Sequence, residues 1–455
     1  MPIISINPTT GDAIQAYDEL APAQVVSAIQ GAATAWQEWR ATSFTDRATL
    51  LRATAAILRE RKDELARLMA LEMGKPVKQG VSEAEKCAWV CDYYAEHGER
   101  HLAPDVIATD ATRSYVAFQP LGVVLAVMPW NFPLWQVYRF AAPALMAGNA
   151  GLLKHASNVP GCALVIEDIF QRAGAPEGLF RTLVIGSGQV KGVIEHPLVR
   201  AVTLTGSTPA GRAVASQAGA VLKKTVLELG GSDPYLVLED ADLDHAVTTC
   251  VSSRLINSGQ SCIAAKRFIV VKPVLEQFTE RFVALMATKR MGDPLDPASD
   301  LGPQARTDLR DGLHHQVMTS IERGATLALG GETPTGAGAF YPPTVLTSVT
   351  PGMPAFDEEL FGPVAAIIAA DDEADAIRLA NHSVFGLGAA VFTRDLARGE
   401  RVALALEAGA TFVNGLVASD PRLPFGGIKE SGYGRELGSY GIREFVNIKT
   451  VHLSA

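Results

Sequence analysis

Leu121 to Trp130 reads L-G-V-V-L-A-V-M-P-W, and the fold turns on how this run is read. It is about half of a membrane span, too short to cross a bilayer. Its apolar residues are bounded by Gly122 and Pro129, which reads as a buried strand entering a turn. Upstream the pattern is helical: Ala23 to Trp39 and Arg47 to Met73 carry apolar residues at three-four spacing, the second ending at Gly74 and Pro76. Downstream, A-G-L-L-K (Ala150 to Lys154), T-L-V-I (Thr182 to Ile185) and A-V-T-L-T (Ala201 to Thr205) each run into a turn and a helical stretch. Strands alternating with helices predict an α/β chain on a parallel sheet. A second such series opens at Pro234 with Y-L-V-L and continues through Arg267 to Val271 and Val364 to Ala370, which sets a boundary near Leu229 and Gly230. Val106 to Pro120 alternates only in part and predicts a projecting hairpin whose open edge needs a partner.

The composition narrows the function classes. The 455 residues are 48% hydrophobic and 20% charged, which suits a soluble globular protein of two or three domains. A net charge of −9 argues against nucleic acid or an anionic membrane as the main partner. Five scattered cysteines fit a reducing compartment, and no basic residue precedes Arg40, so a cytoplasmic protein without a leader is expected. Cys87 and Cys91 stand one helical turn apart, yet no His or Cys nearby completes a metal site. No metal is expected.

Two stretches hold the chemistry. N-S-G-Q-S-C-I-A-A-K-R (Asn257 to Arg267) places Cys262 among small polar residues that favour an exposed loop, just before the apolar run of Arg267 to Val271. Such a stretch suits either a reactive thiol or an inert buried cysteine. For a phosphate loop, G-S-G-Q-V-K-G (Gly186 to Gly192) and T-G-S-T-P-A-G-R (Thr205 to Arg212) both follow strands, and neither is the G-x-G-x-x-G fingerprint. The second has the better chemistry: Gly206 allows close backbone approach, Ser207 brings a hydroxyl and Pro209 suits a first helical turn.

Six motifs then fall in one order: P-W-N-F-P (Pro129 to Pro133), L-T-G-S (Leu204 to Ser207), E-L-G-G-S-D-P (Glu228 to Pro234), G-Q-S-C (Gly259 to Cys262), E-E-L-F-G-P-V (Glu358 to Val364) and P-F-G-G-I-K-E-S-G-Y-G-R-E (Pro424 to Glu436). Together they resemble the aldehyde dehydrogenase superfamily over the whole chain, most closely its short bacterial-type succinate-semialdehyde dehydrogenases. The resemblance implies a Rossmann-type cofactor domain (1–103 and 122–229) and an α/β catalytic domain (230–435). It also implies an oligomerisation hairpin with a C-terminal strand (104–121 and 436–455), in a homodimer or homotetramer.

It further implies NAD(P)-dependent oxidation of an aldehyde through a thiohemiacetal and thioester on Cys262. Asn131 and the Cys262 backbone N–H would hold the oxyanion, and Glu228 would be the general base of thioester hydrolysis. Trp130, Lys154, Ser157, Gly206, Ser207, Leu229, Glu359 and Phe361 would meet the cofactor, while Arg139 and Ser419 would grip the carboxylate of a short semialdehyde. NAD-specific relatives often carry a glutamate where this chain has Ser157, so the cofactor is expected to be NADP or NAD, with NADP used well. Two departures stand out: Ala264 replaces the second cysteine of a C-x-C variant, and Ile256 replaces a second arginine found in some relatives. Another short aldehyde, or thiol hydrolase and acyltransferase chemistry, are the competing readings.

Overall fold

The protein is described by a computed structural model covering residues 2–454. The run that decides the fold is a strand, Val123–Met128, almost wholly buried in the middle of a six-stranded sheet. Ala150–His155 and then Phe180–Thr182 lie to one side of it, and Val199–Thr205 and then Lys224–Glu228 to the other, all parallel. Strand order therefore reverses between Val123–Met128 and Val199–Thr205. In such sheets a crevice opens beyond the carboxyl ends at the reversal, and here those ends lead into Pro129–Asn131 and Gly206–Ser207. A short strand, Gly432–Tyr433, returns from near the C-terminus to pair antiparallel with Leu227 and Glu228.

The second series forms a seven-stranded sheet in which Pro234–Val237 lies between Arg267–Val271 and Gly388–Phe392. Side chains alternate across it: Leu236 and Ile269 join one apolar cluster, while Tyr235, Val237, Phe268 and Val270 join the other. The six-stranded sheet shares a separate core with the N-terminal helices.

The hairpin is present as Asp105–Ile107 and Arg113–Pro120, and the C-terminal strand Val446–Leu453 pairs with it along eight residues. Two expectations need correction. Arg47 to Met73 is not one helix: Phe44–Glu60 and Lys62–Met73 meet at a kink at Arg61, whose guanidinium binds Glu64 and Asp168 instead of continuing a solvent face. The strand expected at Thr182 to Ile185 ends at Thr182, because its edge position pairs only Phe180–Thr182 with Gly151–Leu153. Gly74 does end the preceding helix, in the left-handed conformation (φ 77°). Among the described residues no helix is long and apolar enough to cross a membrane.

Candidate active site

The loop before Cys262 is buried, against the expectation of an exposed polar loop. Asn257, Ser258, Gln260 and Ser261 are all at or below 1% exposure. Many of their polar groups find partners inside the protein, as buried polar groups generally do, although Asn257 Oδ1 and Ser261 Oγ have none. Asn257 Nδ2 donates to Asn131 O (2.7 Å) and Gln260 O (3.0 Å), Gln260 Oε1 accepts from Ala305 N (2.8 Å), and Ser258 Oγ accepts from Gly302 N (3.0 Å). Arg254, fully buried, donates to Gly259 O (2.7 Å). Asn257, Ser258 and Gly259 run consecutively in the left-handed region, and a Cβ on Gly259 would stand 2.2 Å from the Gly362 carbonyl. Only glycine fits there. This rigid turn leaves Cys262 itself part-exposed.

Cys262 stands where two cavities meet. One, of about 260 Å³, is bordered by Trp130, Asn131, Gly206, Ser207, Leu229, Glu359 and Phe361. The other, of about 400 Å³, is bordered by Phe132, Trp135, Arg139, Ile263, Ser419 and Phe425 among others. Burial pushes the Cys262 thiol up to about 12, opposed by the positive charges of Lys266 and Arg139. Lys266 is buried; its Nζ donates to Ser261 O (2.8 Å) and Cys262 O (2.6 Å) and lies 3.4 Å from Glu359 Oε1. Asn131 Nδ2 donates to Gln260 O at 3.2 Å, using one of its two N–H bonds.

Three further charges sit behind the junction. Glu228 is 2% exposed, and neither carboxylate oxygen has a hydrogen-bond partner within the protein. Burial and the adjacent Glu436 carboxylate raise it well above the usual carboxylate range, with Arg139 pulling the other way. A Cβ on Gly426 would stand 2.6 Å from Glu228 Oε1, so the glycine leaves that carboxylate its space. Arg139 Nε forms an ion pair with Glu436 Oε2, its Nη2 is 3.4 Å from Thr205 Oγ1, and its guanidinium lies 4.6 Å from the centre of the Phe425 ring.

A part-exposed cysteine and a buried amide thus share one cavity, while the carboxylate of raised pKa borders neither cavity and connects to them through the charge of Arg139. Residues 2–451 match the aldehyde dehydrogenase family. The chain belongs to that family. It is 50% identical over 448 residues to an Escherichia coli succinate semialdehyde dehydrogenase (NAD(P)+), covering 98% of this chain and 97% of the relative. It is likewise 50% identical to a Mycobacterium avium succinate-semialdehyde dehydrogenase (NADP+), covering 100% and 97%. Among solved structures it is similar to a succinic semialdehyde dehydrogenase from Streptococcus pyogenes in complex with NADP+, with a TM-score of 0.98, 37% identity and full coverage of both chains.

In this aldehyde dehydrogenase the expected site residues fall into groups. Asn131, Cys262 and six expected cofactor residues (Trp130, Gly206, Ser207, Leu229, Glu359, Phe361) share one cavity, with the Trp130 and Phe361 rings edge to face at 5.7 Å. Ser207 is the N-cap of helix Thr208–Ala220, and its side chain makes no capping bond. Arg139 and Ser419 share the other cavity with Cys262. Ser157 lies apart, bordering a third cavity with Asn158 and Arg306, and Lys154 is part-buried near it in sequence. The other phosphate-loop candidate has Gly186 N donating to Glu19 Oε2 (2.8 Å) and borders neither cavity that meets at Cys262.

Sequence reading missed Glu436, Lys266 and Glu19, the last an acid whose charge reaches Lys154. Glu436 closes a glycine-rich motif already noted, where a carboxylate with no helical or strand pattern around it was the available signal. For Glu19 there was none, since nothing local ties it to Lys154 or Gly186.

Proposed function

We propose that this dehydrogenase oxidises succinate semialdehyde to succinate with NADP as its preferred hydride acceptor. The observation that carries the reading is the meeting of two cavities at one part-exposed cysteine, one suited to a dinucleotide and the other to a short aldehyde. The 50% identity to enzymes of that name supports the substrate.

The residues fit the cofactor. The start of helix Thr208–Ala220 offers backbone N–H groups to a pyrophosphate. Asn158 has a buried amide with no protein partner, beside Ser157. A carboxylate in the Ser157 position would repel a 2′-phosphate; serine would not, and Lys154 would attract it. Glu359 would hold the nicotinamide ribose, with Phe361 beside the ring and Trp130, Gly206, Ser207 and Leu229 along the rest of the cleft. When bound, the nicotinamide accepts hydride.

Cys262 Sγ attacks the aldehyde carbon once its proton is removed, and the oxyanion takes hydrogen bonds from the second Asn131 N–H and the Cys262 backbone N–H. The thioester left after oxidation is cleaved by water, with Glu228 as general base. A carboxyl group of raised pKa is suited to moving a proton near neutrality. Arg139 and Ser419 face the substrate cavity from opposite ends of the chain and would meet its carboxylate.

Residues 1–103 with 122–229 form the cofactor domain in this reading, and 230–435 the catalytic domain. Residues 104–121 and 436–455 join copies of the chain into a dimer or tetramer. Free thiols at all five cysteines suit the cytoplasm. A panel of aldehydes assayed with NADP and with NAD tests the function. Succinate semialdehyde with NADP is expected to give the largest kcat/KM. A preference for uncharged aldehydes, or ester hydrolysis without cofactor reduction, refutes it.

A further inference from the structure

We propose that Lys86 supplies the net positive charge that selects aldehydes bearing a terminal carboxylate. This deepens the semialdehyde reading and rests on it. Arg139 borders the same cavity, but Glu436 already matches its charge inside the protein. Lys86 projects from helix Val77–His101 into the cavity, where its Nζ donates to Ser419 Oγ at 2.8 Å and lies 4.4 Å from the centre of the Trp135 ring. An ammonium has three donors. The hydroxyl takes one and the aromatic face holds the cation in place, which leaves donor capacity for a ligand oxygen.

No carboxylate among the described residues forms an ion pair with Lys86, although several acids stand near it. On its own helix Glu83 pairs with Lys75, and Glu85 with Lys62 and Arg59. Asp420, from the segment that carries Ser419, pairs with Arg422. Lys78, also on this helix, pairs with Asp300, and Lys289 adds another cation to the lining. Lys86 and Ser419 also border a second hollow with Trp89 and Leu423, which Cys262 does not border, so their contact stands at the boundary between the two. A short chain with its aldehyde at Cys262 would direct its other end there. Burial and the nearby Arg139 charge lower Lys86 to about 8, so it is still a cation at neutral pH.

Steady-state kinetics of Lys86→Met and Lys86→Arg with succinate semialdehyde and butanal test the proposal. Lys86→Met is expected to lose at least tenfold more kcat/KM on the semialdehyde than on butanal, chiefly through KM, and Lys86→Arg to recover most of that difference. In the unsubstituted enzyme the ratio of the two kcat/KM values should fall as pH rises past about 8, where Lys86 loses its charge. Ionisation of Cys262 affects both aldehydes and cancels in the ratio. The fall should vanish in Lys86→Met and move to higher pH in Lys86→Arg. Equal losses on both aldehydes, or a pH-independent ratio in the unsubstituted enzyme, overturn the role of Lys86. An unsubstituted enzyme with no preference for the semialdehyde refutes the function itself, a separate result.

Discussion

Cys262 is a neutral thiol in the protein at rest, and its reactivity is set by what opposes its burial. With the thiol near 12, the thiolate fraction grows about tenfold per pH unit across the neutral range. Alkylation of the protein without cofactor by iodoacetamide should rise in that proportion from about pH 7 to 10; a plateau near pH 8 would mean that Lys266 and Arg139 outweigh burial. Cys262→Ala should abolish aldehyde oxidation while NADP still binds. Glu228→Gln should give one rapid burst of reduced cofactor and an accumulated thioester, and steady turnover without a burst would remove Glu228 from hydrolysis. Ser157→Glu should shift the kcat/KM ratio from NADP toward NAD, since like charges at about 4 Å repel by roughly 4 kcal/mol at an effective dielectric near 20. An unchanged ratio would leave Ser157 as a bystander. The meeting of Asn131 and Cys262 at one cavity was legible because each sits in a short motif at fixed spacing. The pairing of Arg139 with Glu436 was not, because the two are almost 300 residues apart and burial leaves no periodic trace in either motif.

Glu83 shows how an element is held for chemistry. Its Oε1 accepts from Leu134 N and Trp135 N, both at 2.9 Å, at the turn between Asn131 and helix Trp135–Met146. Its other oxygen meets buried Lys75, whose Nζ sits 3.9 Å from the centre of the Phe132 ring. Glu83→Ala strands two N–H groups and a buried ammonium together. Breaking a buried pair from one side typically costs about 3–5 kcal/mol, which urea unfolding would register, and kcat should fall because the Asn131 turn loosens. Unchanged stability would mean that water replaces the carboxylate. Strands were the legible elements where apolar runs were unbroken, as at Val123–Met128 and Arg267–Val271. Phe180–Thr182 was displaced from its expected place because edge pairing, not hydrophobicity, sets its length.

Across the whole molecule, the three-stranded sheet has Val446–Leu453 on one edge and Asp105–Ile107 on the other, with Val106, Ile107 and Ile448 all at least half exposed. Deleting residues 446–455 would bare the Arg113–Pro120 edge, and the chain should then sediment as monomers or aggregates. A truncated chain of unchanged assembly mass would sever that strand from oligomerisation. The α/β class and the hairpin both read out of the sequence, whereas the return of Gly432–Tyr433 to the first sheet did not, since a two-residue strand carries no pattern. That return has a consequence for biosynthesis. Lys224–Glu228 leaves the ribosome as the outer strand of its sheet and waits for roughly 200 more residues before Gly432 arrives. At about 5–20 residues per second the nascent chain carries an unfinished edge for roughly 10–40 s, ending in the very residue proposed as its general base. Translation speed between those points, and any chaperone that shields an open strand, should therefore govern the yield of active enzyme more than events at either terminus.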